Sequence, residues 1–283
     1  MTNLEKNILL GKAYSENQFI KGVEEGSISD LCLCIAVQHK PAYLKYIKNP
    51  TDEIIAAAIT GHRDWGSENN VLPSLCALKN LSKQIKFRAA VCIGPEVLKY
   101  IKLDKNEDND VLEYIVKEYD DALQYIKNPS EELKLLAVNN SASALKYIVN
   151  PSKEILNAAI NYSSYDVIFC MKNNRTIEPA LTLSMKKKLI KEYPDHIDCF
   201  HEQPLDLCLV ALNEEPNSIR YMTNTEPELV MKALELCNES SIRSYLSRIT
   251  KAGLVNKLDE TVILALQLNG YKLFGLKKFD KWY

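Results

Sequence analysis

An all-α solenoid of about ten or eleven short helix-turn-helix repeats is the fold this sequence predicts, and three observations predict it. The first is near-identity between distant segments. Residues 122–133 read ALQYIKNPSEEL, residues 144–155 read ALKYIVNPSKEI and residues 43–54 read YLKYIKNPTDEI. The second is a fixed spacing of apolar anchors: a small or aliphatic residue ends one apolar stretch, and an aliphatic or aromatic residue follows eleven positions later. The third is the scarcity of strict apolar–polar alternation, with only 9 glycines in 283 residues, which disfavours a turn-rich all-β chain.

The anchors give the period. Ala36 pairs with Ile47, Ala90 with Ile101, Ile115 with Ile126 and Ala137 with Ile148. Ala159 pairs with Cys170, Leu189 with Phe200, Ala211 with Met222 and Ala265 with Leu276, while Ala58 and Ala233 fit as first anchors. Successive first anchors stand 22, 32, 25, 22, 22, 30, 22, 22 and 32 residues apart. The unit is therefore 22 residues, with insertions near 60–74, 103–109, 172–182 and 247–256 that fit loops at the joints of one elongated domain spanning 1–283. A right-handed superhelix is expected.

Each element has a local cause. The first helix of a unit resembles residues 129–138, where Leu133, Leu136 and Ala137 share one helical face. The second resembles residues 144–148, where Leu145 and Ile148 lie one turn apart. Between units stands Asn-Pro-Ser/Thr. Proline cannot continue the preceding helix but suits the start of the next. Asparagine tolerates the left-handed conformation that ends a helix. Thr51, Ser130 and Ser152 can cap the new helix, with Glu53, Glu132 and Glu154 in its first turn. An alternative register makes Asn128 the cap and Pro129 the first helical residue.

Composition narrows the function classes. Net charge is −2, which disfavours a polyelectrolyte binder, and 46% hydrophobic residues suffice for a continuous core. No stretch approaches the ~18 apolar residues of a membrane span, and the N-terminus lacks the basic-then-apolar form of a signal peptide. The 8 cysteines fall mostly in apolar helical stretches, as small core residues rather than a disulfide framework. A cytoplasmic location is expected.

The Tyr-Ile-Lys-Asn-Pro-Ser-x-Glu unit followed by Leu-Ala-Val resembles short two-helix repeats of unknown function in bacteriophage, giant-virus and bacterial proteins. The likeness is best over 36–59 and 84–171. More loosely, the organisation is similar to HEAT and armadillo solenoids, although 22 residues is short for those. The resemblance implies an α-solenoid and a phage origin, and it supplies no catalytic residues. It also implies a sharper version of binding: a phage-encoded inhibitor that engages a host immune effector stoichiometrically.

Candidate contact residues form a ladder on the second helices. Lys45, Lys99, Lys146 and Arg220 follow the aliphatic residue of each unit, with Gln124 as the exception. Lys48, Lys102 and Lys127 follow the isoleucine, and Tyr46, Tyr100, Tyr125, Tyr147 and Tyr221 recur beside them. Repetition alone would copy a solvated lysine and a half-buried tyrosine; a protein-binding face would use the same residues as anchors. A nucleic-acid version would place the lysines on phosphates and the tyrosines on bases. Trp65, in the polar insertion, either packs over a neighbouring joint or serves as a partner hot spot. The tail 274–283, with Phe279, Trp282 and Tyr283, is expected to cap the last core edge.

Two clusters suggest metals and fit poorly. Asp104, Asn106, Asp108 and Asp110 alternate like the start of a calcium loop, but Asn109 replaces the turn glycine and Ile115 the bidentate glutamate. A solvated acidic loop is the better reading. His196, Cys199 and His201 lack a second ligand pair, and register places Ile197 and Phe200 on the core side. No nucleophile, phosphate-loop or zinc-protease motif occurs. The expectation is thus a non-enzymatic interaction protein with another protein as partner and with no cofactor or metal. The alternative is a HEAT-like nucleic-acid-binding or DNA-repair solenoid.

Overall fold

The computed structural model describes residues 1–62, 70–78, 80–104 and 107–273. Among these residues the chain is all-helical, with no strand. It divides into two compact units, Met1–Ala137 and Val138–Tyr283.

In the first unit, α1 (Asn3–Leu9) is followed by α2 (Glu16–Glu24), and α3 (Asp30–His39) by a six-residue 3₁₀ helix, Pro41–Tyr46. Next come α4 (Asp52–Gly61) with α5 (Leu72–Ala77), α6 (Lys83–Ile93) with the 3₁₀ helix Pro95–Lys99, and α7 (Asn109–Glu118) with Ala122–Tyr125. The unit ends within α8 (Glu131–Asn140). The first members stack in a row: α1 on α3, α3 on α4, α4 on α6, and α6 on α7. The second members form another layer, with α5 against Pro41–Tyr46 and Pro95–Lys99 against Ala122–Tyr125.

The second unit repeats the plan. The 3₁₀ helix Ala142–Tyr147 leads to α9 (Lys153–Tyr162) and α10 (Ser164–Asn173), then to the short α11 (Ile177–Ala180). Next are α12 (Leu183–Glu192) with Pro194–Cys199, α13 (Leu205–Glu214) with Pro216–Tyr221, and α14 (Pro227–Leu236) with α15 (Glu239–Lys251). Val255–Lys257 is a single 3₁₀ turn, and α16 (Glu260–Leu268) starts the last repeat. One row runs α9, α12, α13, α14, α16. The other runs Ala142–Tyr147, α10, Pro194–Cys199, Pro216–Tyr221, α15.

Two details differ from the sequence-based expectation. Most second members are 3₁₀ rather than α-helices, because a 22-residue repeat leaves only four to six residues between the corner and the next Asn-Pro stop. In two of the long repeats the added length is helical: their second members are the ten-residue α10 and the thirteen-residue α15, while most of the extra segment before α5 lies outside the described residues. The extra residues at 172–182 hold α11, and those at 247–256 complete α15.

The anchor register sets the core. Ala36, Ala58, Ala90, Ile115, Ala159, Leu189, Ala211 and Ala233 are each fully buried. Ile47, Ile101, Ile148, Cys170, Phe200 and Met222 are buried opposite them, and Ile126 is half-buried. The register slips at the last repeat: Ala265 is half-exposed while Val262, Ile263 and Leu266 fill the core, and Leu276 lies outside the described residues.

The corners resolve in favour of the hydroxyl cap. Ser130 Oγ accepts from Leu133 N at 3.2 Å, Ser152 Oγ from Ile155 N at 3.3 Å and Thr51 Oγ1 from Ile54 N at 3.5 Å. Asn128 and Asn150 adopt φ of 50° and 51°, the left-handed turn that ends the preceding segment. Among the described residues no helix is long and apolar enough to cross a membrane.

Candidate functional site

The basic and aromatic ladder is present in both units, with its members paired to each other. In the first, Lys45 Nζ lies 4.6 Å from the centroid of the Tyr46 ring and 3.8 Å from Glu16, whose carboxylate also accepts from the Tyr46 hydroxyl. Lys99 Nζ lies 4.7 Å from the ring of Tyr125, tying one repeat to the next, and Tyr100 is half-buried. In the second unit Lys146 lies 4.8 Å from the Tyr147 ring. Exposed ammonium groups over half-buried rings are cation–π pairs that stabilise the 3₁₀ layer by up to about 1 kcal/mol each. Trp65 and the tail 274–283 lie outside the described residues.

Arg220 and Tyr221 sit in a different setting. They line a groove of about 990 Å3 with Glu239, Arg243, Ser247, Arg248 and Lys251 of α15. Arg220 Nη2 donates to Ser241 Oγ at 3.0 Å. Arg248 Nε donates to the Arg220 carbonyl at 2.9 Å, and its guanidinium lies 5.9 Å from the Tyr221 centroid. The α15 residues escaped the sequence reading because a Ser/Arg stripe looks like an ordinary solvated face. The available signal was their spacing: Ser240, Arg243, Ser244, Ser247, Arg248 and Lys251 follow the i, i+3, i+4 rule over the whole helix.

A second surface was also unmarked. Tyr162, at the end of α9, is 54% exposed, and Tyr165 and Phe169, one turn apart on α10, are 50% and 55% exposed. Tyr165 meets Tyr193 at 5.7 Å and His196 at 6.2 Å between ring centroids. His196 is thus one wall of an aromatic cluster. The first unit has a smaller counterpart, a groove of about 770 Å3 along α6 lined by Phe87, Val91 and Cys92 and rimmed by the Lys83–Asp110 ion pair at 3.0 Å. Phe87 there meets Tyr114 at 5.0 Å.

The remaining clusters have structural duties. Asp108 is buried, accepts from Lys86 Nζ at 2.6 Å and from the Asp104 amide at 2.8 Å, and so closes the corner before α7. Among the described residues no three His, Cys, Asp or Glu side chains converge as a metal site would require. Burial pushes the Cys208 thiol up to about 12 and the Cys237 thiol up to about 11. Their S–H groups donate to the Gln203 and Pro216 carbonyls at 3.5 and 3.0 Å. Both thiols are therefore protonated and poor nucleophiles at neutral pH. A thiol reagent at pH 8 is expected to modify the exposed Cys76 and Cys92 in the folded protein and to reach Cys208 only after denaturation; mass mapping of the labelled peptides checks this.

Comparison of the chain with protein-family models, with curated proteins and with solved structures finds no match.

Proposed function

We propose that this chain is a non-enzymatic protein-interaction module that acts by binding another protein through an exposed aromatic surface of its second unit. The observation that carries this reading is the half-exposure of Tyr162, Tyr165 and Phe169 together. Repeat packing does not require them, since the core of α10 is made by Val167, Ile168, Cys170 and Met171. Aromatic side chains bring large apolar area at low entropic cost and dominate interface energetics. Held half in water outside the core of α10, they mark a contact patch.

The protonated, carbonyl-bonded thiols and the dispersal of titratable groups along the repeats support binding rather than covalent chemistry. Pairing of Lys45, Lys99 and Lys146 with tyrosine rings gives those ladder residues partners within the repeats and supports the aromatic patch as the primary contact surface.

The test is capture from lysate on tagged protein after nuclease treatment, with wild type and the double variant Tyr165→Ser, Phe169→Ser side by side. A nuclease-resistant partner at near-equal amounts is expected on wild type and lost at least tenfold on the variant, with the melting temperature held because both side chains are half in water. Equal capture by the two proteins would defeat the assignment of this surface.

A further inference from the structure

We infer that the groove between α15 and Pro216–Tyr221 binds a small molecule bearing two or more phosphoryl groups. Four cations line it, Arg220, Arg243, Arg248 and Lys251, against one acid, Glu239, in a chain whose net charge is −2. Glu239 is engaged by Arg243, with Nε and Nη2 at 2.7 and 2.5 Å from Oε1. Arg220, Arg248 and Lys251 have no acidic partner among the described residues.

The two inner guanidiniums are fixed in advance. Arg248 is oriented at one edge by the bond from Nε to the Arg220 carbonyl and at one face by the Tyr221 ring, and no described residue accepts from its Nη groups. Arg220 is held by Ser241, whose hydroxyl in turn donates to Asn217 Oδ1 at 2.6 Å. Its own Nε is buried and has no acceptor among the described residues. A planar guanidinium locked in this way presents paired N–H donors at the spacing of phosphoryl oxygens, which a mobile lysine cannot do. Ser240, Ser244 and Ser247 add hydroxyls along the same helix face. The charged lining is four cationic donors to one carboxylate, which suits a multiply charged anion better than a peptide.

The surroundings favour a small ligand over a polymer. The 3₁₀ helix Pro194–Cys199, next in the same layer, presents exposed Asp195 and Asp198, and α14 and α16 carry exposed Glu228, Glu235 and Glu260. Among the described residues the neighbouring surface is therefore mixed in charge, which disfavours a continuous phosphate track. The groove volume matches that of nucleotide-sized ligand sites.

Calorimetric titration of the full chain with inorganic pyrophosphate tests the inference. Saturable binding is expected, weakened about tenfold or more by Arg243→Glu and by Lys251→Glu, one charge contact each. Both side chains are exposed, so both variants should melt with wild type. Adenosine triphosphate binding more tightly than pyrophosphate would identify a nucleotide as the source of the phosphates; equal affinity would identify free polyphosphate. No binding of pyrophosphate, or binding unchanged in both variants, overturns the site. A single-stranded oligonucleotide that outcompetes pyrophosphate with affinity rising with its length overturns the small-molecule assignment.

Discussion

Ala159→Asp is expected to unfold the unit Val138–Tyr283, with a loss of about 5 kcal/mol or more. Ala159 is fully buried on α9, between Ile155, Leu156 and Ile160 on the same apolar face. The helix packs there against Ala142–Tyr147, α10 and α12. An alanine suits this position because it lets a helix approach the layer beneath. An aspartate would bring a carboxylate into a space with neither room nor a cation. The cost is comparable to the whole stability of a typical domain, about 5–15 kcal/mol. Ala265→Asp is the control, since it has the same repeat position but a half-exposed side chain, and it should cost no more than about 1 kcal/mol. Denaturant titration followed by circular dichroism compares the two. A wild-type midpoint for Ala159→Asp would show that the anchor register is wrong.

That register was legible because burial leaves a period in the sequence. Alanines and leucines at 22-residue steps mark the inner face of each first helix, and the Asn-Pro-Ser corner marks where it starts, since only a few residue types combine a left-handed turn, a helix stop and a cap. The 3₁₀ character of the second layer was not legible. Leu145 and Ile148 lie at i and i+3, which share a face in both helix types, and the segment ends before an i+4 position could separate them. The added helical length of two repeats was hidden for a related reason. α10 and α15 keep the apolar positions that face the stack, but their added turns are polar or aromatic on the outside. Of the candidate site, Arg220 and Tyr221 were visible as ladder members. Their partners Arg243 and Arg248 were not, because the groove is created by a carbonyl accepting from an arginine 28 residues away, a contact with no local signature. The Tyr165–Phe169 surface was missed because the anchor pattern accounts only for the residues that face inward.

The second layer also needs a device that the first does not, and Asn174→Leu exposes it. A 3₁₀ segment leaves carbonyls at its C-terminal end without helical partners. In the stack these carbonyls are covered by the next repeat rather than by water. Asn174, buried after α10, donates through Nδ2 to Leu145 O at 3.0 Å and to Ile148 O at 2.7 Å, closing the end of Ala142–Tyr147. Its Oδ1 accepts from the Thr176 amide at 3.1 Å and hydroxyl at 2.7 Å, which starts the turn into α11. Leucine has nearly the same volume and keeps the apolar contacts, but it strands the Ile148 carbonyl and the two Thr176 donors and leaves Leu145 O with only the bond from Ile148 N at 3.1 Å. The expected loss is about 3–5 kcal/mol. Gln203 performs the same task further along the same layer, reaching Ile197 O at 3.1 Å and Tyr221 O at 3.5 Å while accepting from Thr223 N at 2.7 Å. Its bonds are longer and its site is only half-buried, so Gln203→Leu should cost less, about 1–3 kcal/mol. Equilibrium unfolding of the two variants measures the order directly. Equal and small losses would mean that water reaches these carbonyls and that packing alone holds the 3₁₀ layer. A larger loss for Asn174 would show that buried amides bind successive repeats where the polypeptide backbone cannot.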